Sequence, residues 1–332
     1  MKISVLYNKP TERFAEHAAH WEAEEDTEES AQEVADALET KGVQTRLVPI
    51  TEHTIDATVA SLTGDLVFNL IEWTGIDTKY AMQTFDLMDA KHLRYTGATK
   101  DNYLLTCDKS LMKKRLEELR LPTARWQLYI SGDEPIRTDF HYPVIVKVSS
   151  EHSSVGLSKE AVVENEEALR DRIRKCLLQY KQPVYAEEFL SGREFQVTLL
   201  EMNQKLFMLP PSEIIFTKTT DVPFLTYESR WDMTHPDYNN SNVTLAAIEP
   251  KLALMVESMS RAAFRSLGFR DYARFDIRCS SDSTPYFLEV NSNPGLGDDP
   301  EYGMTVSYKA ICMSFADFVW KIVESALRRR TV

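Results

Sequence analysis

The sequence predicts an α/β protein: a doubly wound parallel sheet at the N-terminus, followed by two further units that mix helices with strands. Three observations predict it. Short apolar runs at 3–7 (ISVLY), 45–50 (TRLVPI) and 65–71 (DLVFNLI) alternate with helical stretches, the pattern of parallel strands with helices on both faces. A second series of short strands begins after residue 121. Near the C-terminus, DYARFDIR (271–278) and YFLEVNSNPG (286–295) flank the turn-rich CSSDSTP and read as a hairpin.

After the first strand, an acidic stretch from Trp21 to Glu33 runs into a helix that ends near Lys41-Gly42, the glycine serving as C-cap. The segment 80–92 is a helix, and YTG (95–97) marks a boundary. Asp108 to Arg120 is amphipathic, with Leu111, Met112, Leu116 and Leu119 as its apolar stripe. PVIVKVS (143–149) is a strand, Glu164 to Tyr180 a helix, and 183–190 and 194–202 are strands. Asp232 to Val243 reads as a polar loop, Pro250 to Leu267 and Ser314 to Arg329 as helices. The expected divisions are 1–97, 98–187 and 188–332.

Composition narrows the class. A 43% hydrophobic and 27% charged chain of 332 residues is globular and holds two or three cores. No apolar run approaches a membrane span. Four scattered cysteines (Cys107, Cys176, Cys279, Cys312) show neither metal nor disulfide spacing, so a cytoplasmic setting is expected. A net charge of −13 argues against nucleic acid or an anionic membrane as partner. An anionic ligand therefore needs local clusters of lysine and arginine.

The hairpin carries the strongest chemical signal. If its loop centres near Asp282, residue numbers summing to about 565 sit opposite each other. Asp276 then faces Glu289, and Arg274 faces Asn291. Phe275, Ile277, Leu288 and Val290 form the opposite, core face. Two carboxylates placed directly across a strand pair repel. A hard divalent cation offsets that repulsion, and carboxylate and amide oxygens suit Mg²⁺, which also binds phosphates. An exposed polar face with Arg274 and Arg278 as counter-ions is the plainer alternative.

Other segments are weaker singly. Lys147 leads into the serine-rich loop 149–156, whose backbone N–H groups can face phosphates; taken alone, a solvated hairpin turn is the plainer explanation. Lys109, just inside a helix start, can assist a phosphate contact or lie on the surface. In VYAEEFLSGREF, Glu187, Glu188 and Glu194 border an apolar slot and can accept from an adenine amino group or ribose hydroxyls, or form a solvated strand edge.

Together these pieces resemble the ATP-grasp superfamily and, within it, the D-alanine–D-alanine ligase family. The matching motifs are YTG with a following DK, PVIVK…SSVGLSK, EEFLSGREF, YESRW (227–231), ARFDIR and FLEVNSNPG, in order over about residues 65–325. The resemblance implies two ATP-grasp sub-domains holding ATP between their sheets. It implies that Lys109 and Lys147 contact phosphates, that Ser153, Ser154, Val155 and Gly156 form a flexible phosphate loop, and that Glu187 and Leu190 lie at the adenine and Glu194 at the ribose. Asp276, Glu289 and Asn291 match the ligands of Mg²⁺ (or Mn²⁺). Arg274 matches the arginine facing the transferring phosphoryl group, with Ser153 and Arg230 also catalytic. The substrates implied are a small carboxylate and an amine, joined through an acylphosphate, with homodimerisation allowed.

The departures cluster in the amino-acid pockets. The family's glycine-rich stretch near the N-terminus is replaced by YNKPTERFAEHAAHWEAEEDTEES, with Glu12, Glu24 and Glu25 as candidate donor-binding acids. Its histidine-glycine motif becomes NLIEWTGIDTK, leaving Glu72, Trp73 and Asp77. Arg230 stands for a lysine, and Trp231 for a tyrosine whose acceptor oxygen tryptophan cannot reproduce. A serine-containing loop becomes LGDDPEYGM, with Asp298, Asp299 and Glu301. The expectation is a ligase with substrates other than two D-alanines. Its rivals are a kinase of the same fold, a literal D-alanine–D-alanine ligase and a non-catalytic nucleotide-binding module.

Overall fold

The computed structural model describes residues 1–9, 18–73, 75–150, 154, 156–217, 223–238 and 240–329, without the side chains of 18–26 and 76. Its first sheet is parallel. β1 (Lys2–Asn8) lies between β2 (Gln44–Ile50) and β3 (Leu66–Leu70). Ile3, Val5 and Tyr7 point to one core, shared with α1 (Ala18–Thr40), while Leu6 points to the other, shared with α2 (Ile55–Ser61) and α3 (Thr78–Ala90). Burial on both faces is why these strands read as apolar runs rather than alternating ones. Gly42 ends α1 at φ +75°, as the sequence predicted.

α4 (Lys100–Cys107), capped by Thr99, was not anticipated from the sequence. α5 (Lys109–Glu118) is capped by Asp108, which accepts from the amides of Ser110 and Leu111. Met112 and Leu116 are buried and Leu119 partly so, but Leu111 is 43% exposed and leaves the predicted stripe. The second sheet is antiparallel, in the order β4 (Trp126–Tyr129), β7 (Val184–Glu188), β5 (Val144–Val148), β6 (Val162–Val163), with α6 (Glu166–Tyr180) against it.

The third sheet runs β11 (Ser241–Leu245), β10 (Ser212–Phe216), β8 (Glu194–Met202), β12 (Tyr272–Cys279), β13 (Pro285–Asn291), with β9 (Lys205–Met208) also paired to β8. α7 (Tyr227–Trp231) was not anticipated from the sequence, and β11 begins inside the stretch that read as a polar loop. α8 (Pro250–Ser266) covers one face of this sheet through Leu252, Val256, Ala263 and Phe264. α9 (Gly303–Lys309) and α10 (Phe315–Arg328) return to the first sheet, where Phe318, Val319, Ile322 and Val323 join its core.

The hairpin register is the predicted one at its functional end: Arg274 pairs with Asn291 and Asp276 with Glu289. Beyond Asp276 the register shifts, and Ile277 faces Phe287. Phe287, fully buried, takes the core position expected for Leu288, which turns to the other side. One extra residue in a strand reverses the facing of the residues past it.

Candidate active site

A cavity of about 850 Å³ opens between the second and third sheets. Its lower wall is the polar face of β8, β12 and β13. Period-two alternation brings Glu194 and Gln196, then Arg274, Asp276 and Arg278, onto that face. The other wall comes from β5 and β7, carrying Lys147 and Glu187. The Asp108 carboxylate also accepts from Ser149 Oγ at 2.9 Å, and the Lys109 amide donates to the Ser149 carbonyl at 2.9 Å. The start of α5 is thereby tied to the end of β5, which brings Lys109 and Lys147 to one cavity.

Charges in the cavity are paired. Lys109 Nζ lies 3.0 Å from Glu289 Oε1. Arg278 donates to Glu194 at 2.9 Å, across the β8–β12 ladder. Burial pushes the Glu194 carboxyl up, although the Arg278 guanidinium pulls against it. Arg274 forks onto Asp276, and Asn291 Nδ2 donates to Asp276 Oδ2 at 3.2 Å. Asp276, Glu289 and Asn291 thus stand side by side with oxygen donors only. Among the described residues no group of three or more His, Cys, Asp or Glu gathers for a metal. Two carboxylates and an amide fit Mg²⁺ when phosphate oxygens and water complete its shell, the usual arrangement for that ion.

Glu187 is not at an exposed rim, as its sequence neighbourhood suggested. It is 1% exposed, and its carboxylate lies between Lys147, at 2.7 Å, and the fully buried Lys113. Leu190 and the half-buried Ser154 line the cavity; Gly156 is buried behind it. Ser153 and Val155 lie outside the described residues, as does Glu12, and the side chains of Glu24 and Glu25 are not described. Leu288 and Gln196 line the cavity without having been anticipated. Alternation placed Gln196 with Glu194, but an amide among charges draws no notice in a sequence.

At the far end the cavity reaches the first sheet. Asn293, after β13, donates to the Ile71 carbonyl at 3.1 Å. Glu72 therefore sits beside Gly295, where a Cβ would lie 3.8 Å from Glu72 Oε2. Glu72 lines the cavity, whereas Trp73 and Asp77 are buried in the fold. Arg230 and Trp231, on α7, line it too, with the guanidinium 5.3 Å from the indole. Asp298 and Asp299 do not line it. Asp298 accepts from Tyr308 and pairs with Lys309, and Asp299 accepts the Glu301 amide. Of that loop, Pro300, Glu301, Tyr302, Gly303 and Met304 border the cavity, and Glu301 is the acid among them.

Comparison with known proteins decides the family. The model of the D-ala D-ala ligase C-terminus matches residues 119–324. The chain belongs to the D-alanine–D-alanine ligase family. It is 31% identical to uncharacterized protein y4sG of Sinorhizobium fredii, over 80% of this chain and 76% of that one. It is 29% identical to the D-alanine–D-alanine ligase of Nitrosococcus oceani, over 74% and 72%. Among solved structures it superposes on D-alanine–D-alanine ligase from Bacillus anthracis complexed with ATP, at TM-score 0.72, 18% identity and 99% and 98% coverage. VanG D-Ala:D-Ser ligase from Enterococcus faecalis matches at TM-score 0.73, 18% identity and 98% and 99% coverage. These likenesses show the ATP-grasp fold. Membership of the D-alanine–D-alanine ligase family makes the chain an ATP-dependent, ADP-forming carboxylate–amine ligase. No helix among the described residues is long and apolar enough to cross a membrane.

Proposed function

We propose that this ligase joins a carboxylate to an amine other than D-alanine, through an acylphosphate. The observation that carries this reading is the contrast between the two ends of one cavity. The nucleotide end keeps Lys109, Lys147, Arg274, Asp276, Glu289 and Asn291 together, while the substrate end is rebuilt around Glu72, Arg230, Trp231 and Glu301. At the first end, Lys109 and Lys147 bind phosphates and Asp276, Glu289 and Asn291 hold Mg²⁺ (or Mn²⁺). The metal supplies charge neutralisation on the phosphate oxygens. Arg274 stabilises the charge spread over the transferring phosphoryl group. Leu190 and Leu288 give the base an apolar bed, and Glu194 faces the ribose.

At the second end, Glu72 and Glu301 disfavour a free acceptor carboxylate and favour a cationic or neutral group. A wrongly placed charge in a desolvated pocket is strongly discriminated. Trp231 offers a flat wall for such a group, including a cation. The sub-domain divisions at 97/98 and 187/188 belong to the same reading, as does assembly into a homodimer.

A screen of amino acids and amines for ATP-dependent phosphate release tests it, with hydroxylamine as trap. The expected result is an acyl hydroxamate with a carboxylate donor and turnover with amines that lack a carboxylate. A stable phosphorylated product without hydroxamate would mark a kinase instead. Efficient D-Ala–D-Ala formation would overturn the altered specificity.

A further inference from the structure

At the nucleotide end of the cavity, cations and carboxylates are matched. Lys109 meets Glu289 at 3.0 Å, Arg274 meets Asp276 at 2.9 Å, Arg278 meets Glu194 at 2.9 Å and Lys147 meets Glu187 at 2.7 Å. A cation in contact with a carboxylate presents only a weak field to a third charge nearby, because the opposite charge lies almost as close. Such a Lys147 would do little for an anionic ligand.

Glu187 differs from the other three carboxylates. Lys147 touches Oε1, and a second ammonium, that of Lys113, touches Oε2. The Lys113 side chain is 0% exposed and borders no part of the cavity, whereas that of Lys147 is 15% exposed and does. Lys113 Nζ also donates to Thr123 Oγ1 at 2.9 Å, which fixes it from behind. One helical turn separates Lys113 from Lys109, so both project from one side of α5. Lys109 reaches β13 and Lys113 reaches β7, so α5 bridges the two sheets that flank the cavity.

Burial holds the Lys113 ammonium below its ordinary value, and the Glu187 carboxylate opposes that effect only in part. For Glu187, burial alone would raise the carboxyl, but the two ammoniums outweigh it and hold it below its ordinary value. A buried ion pair is a weak source of stability. An apolar side chain at position 113 would fill the space without desolvating a charge.

We propose that Lys113 is a positioning residue that neutralises Glu187 from behind, leaving Lys147 a net positive charge to offer the nucleotide phosphates. The Lys147–Glu187 pair alone is neutral; with Lys113 the group carries one net positive charge. The proposal rests on the reading of this cavity as an ATP site.

The test is calorimetric titration of the full chain with ATP and Mg²⁺, comparing wild type, Lys113→Met, Glu187→Gln and Lys113→Met/Glu187→Gln. Lys113→Met is expected to weaken ATP binding by about ten- to a hundredfold, the span of one charge-assisted contact. Both carboxylate oxygens of Glu187 face ammoniums rather than the adenine that the family resemblance assigns to it, so Glu187→Gln is expected to bind at least as tightly as wild type. The double variant is expected to recover most of the lost affinity, because Lys147 is again uncompensated. A merely structural Lys113 would give a double variant no better than the single one, and that result overturns the proposal. Wild-type affinity in Lys113→Met overturns it too. If Lys113→Met does not fold, Glu187→Gln decides alone, and a loss of affinity there refutes the idea. Absence of ATP binding by the wild-type protein removes the nucleotide reading and this inference together. Tight wild-type binding with insensitive variants removes this inference only.

Discussion

Arg274 donates from Nε and Nη2 to both carboxylate oxygens of Asp276, at 2.9 and 3.0 Å, from two positions earlier on the same strand. The residue assigned to the phosphoryl group and a residue assigned to the metal therefore hold each other. A cation bound at Asp276 would compete with the guanidinium for the same oxygens.

Substitutions on the metal face should thus show in the Mg²⁺ requirement. Asp276→Asn and Glu289→Gln are each expected to cut ATP-dependent phosphate release on the order of a hundredfold at limiting Mg²⁺, with folding unchanged by circular dichroism. Near-wild-type turnover in both variants would remove the metal assignment.

Lys147→Ala should weaken ATP binding by roughly 1.5–3 kcal/mol, the range for a charge-assisted hydrogen bond. Equilibrium titration reads this directly. Unchanged affinity would mean that the Lys147 ammonium serves only Glu187.

Acceptor choice should respond to the acids that border the cavity and ignore those that do not. Glu72→Gln and Glu301→Gln are expected to change the preference between amines with and without a carboxylate by about tenfold or more. Asp298→Asn and Asp299→Ser should leave it alone, since Lys309, Tyr308 and the Glu301 amide already occupy those carboxylates. A shift in preference in the aspartate variants alone would reverse the assignment.

Acid stability should depend on Glu134. Burial works against its carboxylate, but the amides of Ser131, Ile130 and Gly132 donate to it and together outweigh that, bringing its pKa from 4.5 down to about 2. A depressed folded pKa adds stability that is fully present above the unfolded value and lost as pH falls through the folded one. Melting temperatures of wild type and Glu134→Gln should differ most above about pH 4.5, and the gap should close towards pH 2. A gap constant across that window would show that hydrogen-bond geometry rather than charge is at stake.

How much of this was legible depended on whether a repeating pattern existed to read. The hairpin register at Asp276 and Glu289 comes from alternation across a short turn, and the structure keeps it. The parallel strands were legible because helices cover both faces. β11 was not, because most of this edge strand lies in solvent and its residues carry no apolar alternation. In the loop after β13 there is no period to tell which acid faces inward, so Asp298 and Asp299 stood out where Glu301 belongs. The partnership of Lys113 with Glu187 joins a helix to a strand 74 positions later, and no local pattern encodes that.

The irregularity in β13 also constrains what changes this hairpin can tolerate. Phe287, Leu288 and Glu289 are consecutive, yet the last two share the cavity and only the first enters the core. The strand therefore obeys one parity before the shift and the opposite parity after it. Deleting Leu288 would restore a uniform ladder while leaving Asp276 and Glu289 opposed, and would take an apolar side chain out of the cavity. Inserting a residue on β12 at the same height would cancel the shift from the other strand. Length changes in this hairpin are thus readable as gains or losses of a side chain in the cavity wall rather than as neutral drift.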